Sequence, residues 1–150
     1  MEMFMQGVPQ ICCLSFFQHL VSLTLVQQSL PSIEGLHYCP FLRILRLNEN
    51  SIERLDGLES CLRLEELYLH SNKIKHIKNL SYLTALEVLW LANNAIHEIE
   101  GLGQCVRLKE LNMAQNPIKQ LGEVSNLKAL EKLNVAATNV GSFKVSWFDH

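Results

Sequence analysis

The chain has no surplus of positive charge: 13 Lys and Arg stand against 15 Asp and Glu, for a net charge of -2. Phosphate backbones are held by neutralising cations, so this balance argues against a dedicated DNA or RNA binder. Dense, evenly spaced cysteines are also lacking. Cys12, Cys13, Cys39, Cys61 and Cys105 make an odd set, unlike a small secreted disulfide scaffold, and point to a reducing, cytoplasmic compartment. No Lys or Arg precedes Arg43, so the apolar stretch from Ile11 to Val26 is without the positive start of a signal peptide, and Gln18 and His19 interrupt it. No membrane anchor or membrane partner is expected.

Converging catalytic groups are missing as well. His19, His37, His70, His76, His97 and His150 are scattered, and no nucleophile, base and orienting group can be drawn from them. Cys12-Cys13 has no paired Cys or His at zinc-ligand spacing. Lys73, Lys75, His76 and Lys78 suggest a basic patch until the neighbouring Glu53, Asp56 and Glu100 are aligned with them, which predicts solvated ion pairs instead. The expectation is a non-enzymatic protein with no cofactor, metal or small-molecule substrate.

What is present is a repeat. In a chain of 150 residues, 48% hydrophobic, leucine recurs at Leu20, Leu42, Leu64, Leu86, Leu108 and Leu130, a spacing of 22 with no insertion or deletion. Counting each of these as position one, the fourth position is Leu in all six units. The sixth is Leu25, Leu47, Leu69, Leu91, Met113 and Val135, and the ninth is Asn50, Asn72, Asn94 and Asn116 in the four central units. The eleventh runs Leu30, Ile52, Ile74, Ile96, Ile118 and Val140. Cys39, Cys61 and Cys105 share the twentieth position with Leu83 and Leu127, which predicts core thiols in leucine-sized spaces.

Written L-x-x-L-x-L-x-x-N-x-I, as in Leu64 to Ile74, these units resemble leucine-rich repeats over residues 20–143. With Ile or Leu at position fourteen and Leu at seventeen, they are similar to the class found in a protein phosphatase-1 regulatory subunit, an outer-arm dynein light chain and several ciliary proteins. The resemblance implies an α/β leucine-rich-repeat solenoid: a right-handed curved superhelix with parallel strands on its concave face. It further implies an intracellular scaffold or adaptor, in this class a ciliary one.

Physical reasoning reaches the same architecture. One coil cannot bury its own apolar stripe, so coils must stack, each strand placing its leucines inward. Asn at position nine both donates and accepts, and Asn50, Asn72, Asn94 and Asn116 should form a buried ladder bonding backbone groups left unpaired where the chain leaves the strand. Gln28 and Thr138 depart from that pattern in the end units.

Carried backwards, the register puts Val8, Ile11, Leu14 and Phe17 at inward positions, so residues 1–19 read as a partial repeat or cap. Residues 144–150 read as an irregular tail after Phe143. Either Trp147 and Phe148 fold back over the last coil, or the chain is a truncated product of a longer repeat protein; the need for a polar outer face at each end favours the second. In that case the chain would be a structural fragment without a partner of its own.

The outward strand positions offer the better functional reading. Position five runs Thr24, Arg46, Tyr68, Trp90, Asn112 and Asn134, position three includes Ile44, Glu66, Val88 and Glu110, and position seven includes His70. Ile44, Tyr68, Val88 and Trp90 are expected to form an exposed apolar centre, rimmed by Arg46, Glu66, His70, Glu110 and Asn112, that binds another protein. The competing reading is that Tyr68 and Trp90 pair on neighbouring strands and stiffen an idle face.

Overall fold

A residue between two inward neighbours points outward in a strand, and the Leu-x-Leu stretches follow that period of two. The computed structural model describes residues 2–4, 7, 10–11 and 14–139. Its strands are β1 (Glu2–Phe4), β2 (Ser22–Thr24), β3 (Ile44–Arg46), β4 (Glu66–Tyr68), β5 (Val88–Trp90), β6 (Glu110–Asn112) and β7 (Lys132–Asn134). They form one parallel sheet in chain order, the arrangement of a solenoid. Short 3₁₀ turns at Leu14–Phe16, Leu36–Tyr38 and Gly122–Asn126 occupy part of the return path.

From β2 onward the ladder keeps a 22-residue register, with Leu23 opposite Leu45 and Leu45 opposite Leu67. β1 departs from it: Glu2 lies opposite Ser22 and Met3 opposite Leu23, an offset of 20. The return path recovers the common register by Ile11. An added Cβ on Gly35 would lie 2.5 Å from Ile11 O, as one on Gly57 would lie 2.7 Å from Ile33 O, 24 residues earlier in both cases. Phe4 and Ile11 are thus seven residues apart, whereas Thr24 and Ile33, their counterparts in the next coil, are nine apart.

The core is one continuous cluster along the stack. In the third unit Leu64, Leu67, Leu69, Ile74, Ile77, Leu80 and Leu83 are all fully buried. Side chains of this kind contribute about 1.5–3 kcal/mol each when fully buried, but only once neighbouring coils cover them. Ile11 and Leu14 are buried at the first end, whereas Leu130, Leu133 and Val135 of the sixth unit are partly buried. Cys39, Cys61 and Cys105 are buried. Burial raises the Cys39 thiol above its ordinary range and pushes Cys61 up to about 12. Val8, Cys12, Cys13, Val140, Phe143 and the tail with Trp147 and Phe148 lie outside the described residues.

Each coil turns out of its strand through a left-handed residue at position eight: Gln27, Glu49, Ser71, Asn93, Gln115 and Ala137, with φ between 55° and 58°. That conformation costs a non-glycine residue about 1–2 kcal/mol. The asparagine that follows offsets it. Asn50 Nδ2 donates to Leu25 O (2.7 Å) and Leu47 O (2.9 Å), while its Oδ1 accepts from the N–H of Gln28 (2.9 Å) and Leu30 (3.0 Å). Asn72, Asn94 and Asn116 each donate to two carbonyls in the same pattern and accept from the N–H of Ile52, Ile74 and Ile96 respectively. The ladder is buried at Asn50 and Asn116 and half-buried at Asn72 and Asn94. In the last unit the Thr138 hydroxyl donates to Val135 O at 2.8 Å, reproducing one of the asparagine's bonds.

Candidate functional site

Positions three and five of the four central units flank a buried leucine and therefore face outward on the sheet. Ladder pairing sets Arg46, Tyr68, Trp90 and Asn112 side by side on β3 to β6, and Ile44, Glu66, Val88 and Glu110 beside them. At the centre the rings of Tyr68 and Trp90 meet edge to face, 5.3 Å between centroids and 74° between planes. The guanidinium of Arg46 lies 5.0 Å from the centre of the Tyr68 ring, within cation–π range. The His70 and Trp90 ring centroids are 6.1 Å apart.

Two carboxylates fasten the polar ends of the pair. The Tyr68 hydroxyl donates to Glu66 Oε2 at 2.9 Å, and the Trp90 indole N–H donates to Glu110 Oε1 at 2.8 Å. Each carboxylate also meets a cation: Arg46 lies 3.6 Å from Glu66, and Lys132 lies 3.1 Å from Glu110. The lysine and indole bonds hold Glu110 below the usual carboxylate range. Desolvation, and then the bond to Glu66, raises the Tyr68 phenol above its own. The result is a chain of contacts, Arg46–Glu66–Tyr68–Trp90–Glu110–Lys132, that spans five strands.

One expectation needs correction. Tyr68 and Trp90 are half-buried, not an exposed patch, because the two rings pack edge to face and Arg46 lies over Tyr68. Glu66 of β4 pairs with both Ile44 and Val88 and stands between them, as their order along position three has it. Asn112, paired with Trp90 in the ladder, accepts from the Ala114 N–H at 3.2 Å through its side-chain oxygen. Lys132 was missed as a member of the cluster, although its place opposite Glu110 was legible in the repeat register. His70 Nδ1 is buried without a hydrogen-bond partner among the described residues.

Charges elsewhere on this face are largely paired across strands. Arg43 meets Glu65 at 2.6 Å, and Lys109 meets Glu87 at 2.7 Å. On the return side His76 lies 3.4 Å from Glu100 and Arg54 lies 2.7 Å from Asp56, next to the lysines of the apparent basic patch. Among the described residues no group of three or more His, Cys, Asp or Glu could hold a metal ion, and no helix is long and apolar enough to cross a membrane.

A family model described as leucine-rich repeats (2 copies) matches residues 40–82, 62–104 and 84–126. No curated protein matches the chain at a significant level. Among solved structures the chain is similar to an internalin (inlF) of Listeria monocytogenes, with 31% identity, 77% of this chain and 34% of that one covered, and a TM-score of 0.72. It is similar to internalin C2 of the same organism at 22% identity, covering 87% of this chain and 58% of that one, with a TM-score of 0.82. A third likeness is to the protein in a TLR13–ssRNA13 complex: 26% identity, 87% of this chain, 20% of that one, TM-score 0.80. The chain spans less than two thirds of each of these three.

Proposed function

The chain belongs to the leucine-rich-repeat family, whose members generally mediate protein–protein interaction, and we propose that it binds a partner protein through the strand face centred on Tyr68 and Trp90. The observation that carries this reading is the edge-to-face pair with both polar atoms fastened, Tyr68 to Glu66 and Trp90 to Glu110. Aromatic and Arg side chains dominate binding energies at interfaces, and rings already held in place lose little freedom on docking. Arg46 and Lys132 at the two ends of the contact chain supply a polar rim.

A protein suits this face better than a nucleic acid. The TLR13 neighbour was solved in complex with ssRNA13, but here the net charge is -2 and the face cations Arg43, Arg46, Lys109 and Lys132 are each engaged with a glutamate. Phosphates would have to displace those carboxylates. The proposal extends to a non-enzymatic scaffold in the cytoplasm, for which the buried thiols of Cys39 and Cys61 are one support, and to a ciliary setting, for which the repeat class is the support.

Affinity capture from ciliated-cell lysate, comparing the wild-type chain with Tyr68→Ala/Trp90→Ala, tests the reading. Proteins retained by the wild type and lost by the folded double variant are the expected result. Identical retention by both, with no protein dependent on the pair, overturns it.

A further inference from the structure

The large apolar side chains most exposed to solvent do not lie on the strand face. Among the described residues they are Phe16 (84% exposed), Tyr38, Leu62, Tyr82 and Val106. In repeat register Phe16, Tyr38 and Tyr82 hold position nineteen, and Leu62 and Val106 hold position twenty-one, on the flank just before each strand. The buried residue of position twenty lies between the two, so both point outward. Only one of the two positions is filled in each coil. Where position nineteen is aromatic, position twenty-one is Gln18, Pro40 or Thr84; where position twenty-one is aliphatic, position nineteen is Ser60 or Gln104. Each of five successive coils thus presents one large apolar side chain, in a zigzag row along the solenoid axis. Further coils stacked on either end would lengthen this row without covering it.

The charge around the row is one-sided. Positions nineteen, twenty-one and twenty-two carry Arg63, Arg107 and Lys128 and no carboxylate from the first coil to the sixth. None of the three cations forms a salt bridge among the described residues, and Arg63 lies 4.7 Å from the centre of the Phe41 ring, held within the row. On the adjoining positions stand Glu59 on one side and Glu65, Glu87 and Glu131 on the other, of which Glu65 and Glu87 are already taken by Arg43 and Lys109.

Spacing selects the shape of what fits. Neighbouring strands lie about 4.8 Å apart, so four steps along the row span about 19 Å. Four turns of an α-helix rise about 22 Å, whereas four same-face side chains further along an extended strand need about 27 Å. An anionic membrane fits less well, since polybasic lipid binding draws on clusters of about 4–8 Lys or Arg. Three cations on a chain of net charge -2 fall short of that. From the row and its unpaired cations we infer that this flank is a second docking surface, for an amphipathic helix of a partner protein that carries carboxylates along its apolar stripe.

Fluorescence anisotropy on the full chain tests it with two labelled 18-residue helical peptides, each with one leucine stripe, bordered by Glu in one and by Lys in the other. The Glu helix should bind the wild type at least tenfold more tightly than the Lys helix. Leu62→Ser/Tyr82→Ser/Val106→Ser, whose far-UV circular dichroism and denaturation midpoint should match the wild type, should weaken it at least tenfold. Arg63→Glu/Arg107→Glu should reverse the preference between the peptides. Tyr68→Ala/Trp90→Ala should leave it unchanged, which separates this surface from the strand face. No binding of the Glu helix, equal or tighter binding of the Lys helix, or indifference to the triple serine variant overturns the inference. So does finding that the row serves instead to bind phosphatidylserine vesicles or a second copy of the chain, seen as vesicle flotation or concentration-dependent sedimentation lost in the triple variant.

Discussion

The indole N–H of Trp90 donates to Glu110 Oε1 at 2.8 Å, from one strand to the next, while Lys132 approaches the other oxygen of the same carboxylate at 3.1 Å. One acidic group thereby orients the largest ring on the sheet and is held below its ordinary titration range by the two donors.

That linkage has a pH signature. Glu110 is depressed in the folded chain, so its contribution to stability is present above the free-Glu value of about 4.3 and is lost as pH falls through the lower folded value. The side chain is 27% exposed, and solvent screening keeps the contribution small. In a Trp147→Phe background, which leaves Trp90 as the reporting indole, fluorescence should change with a midpoint below that of free Glu. Glu110→Gln should remove the transition; a midpoint at or above the free value would show that the bond does not hold in solution.

The asparagine ladder predicts a graded cost. Asn50→Ala strands two carbonyls and two N–H groups in a buried turn and should destabilise by about 1–3 kcal/mol. Thr138→Ala removes a single half-buried hydroxyl bond and should cost about 0.5–1.5 kcal/mol. Urea denaturation of the two variants side by side checks the order; a larger loss at Thr138 contradicts it.

Gly101 marks a close approach between coils. Its φ is +72° and a Cβ there would sit 2.3 Å from Ile77 O, a backbone atom that cannot swing away. Gly101→Ala should therefore cost more than the roughly 1–2 kcal/mol of the left-handed conformation alone. Asn79 occupies the equivalent slot with φ 63° and bonds Asp56, so Asn79→Gly should be tolerated far better in the same melting experiment.

Cys61 should be chemically silent in the native chain. Its thiol is fully buried and raised to about 12, leaving almost no thiolate at pH 8. Pulse alkylation with iodoacetamide, followed by peptide mass spectrometry, should label it in urea and not in buffer. Labelling in buffer at the unfolded rate would place it outside the core.

Much of the architecture was legible because it rests on local rules repeated six times. A period of two decides which strand residues point inward, and the 22-residue spacing brings like positions onto one another, so Leu67 meets Leu45 and Leu89. The value of Asn at position nine followed from its having a donor and an acceptor on one short side chain. The candidate face was legible as a row of names, but its state was not. Tyr68 and Trp90 are half-buried because of what Arg46, Glu66 and Glu110 do around them, and long side chains choose among rotamers according to neighbours one coil away.

The sequence by itself determined the coil length, the inward positions and the repeated turn, since each depends on backbone geometry and burial that every unit shares. Only the tertiary structure decided that β1 pairs with β2 at an offset of 20, that the Tyr68 and Trp90 rings are fastened by Glu66 and Glu110, and that Phe16, Tyr38, Leu62, Tyr82 and Val106 stand exposed along one flank. Those outcomes depend on contacts between residues on different coils, and exposure is a property of the assembled stack, set by what the neighbouring coils leave uncovered.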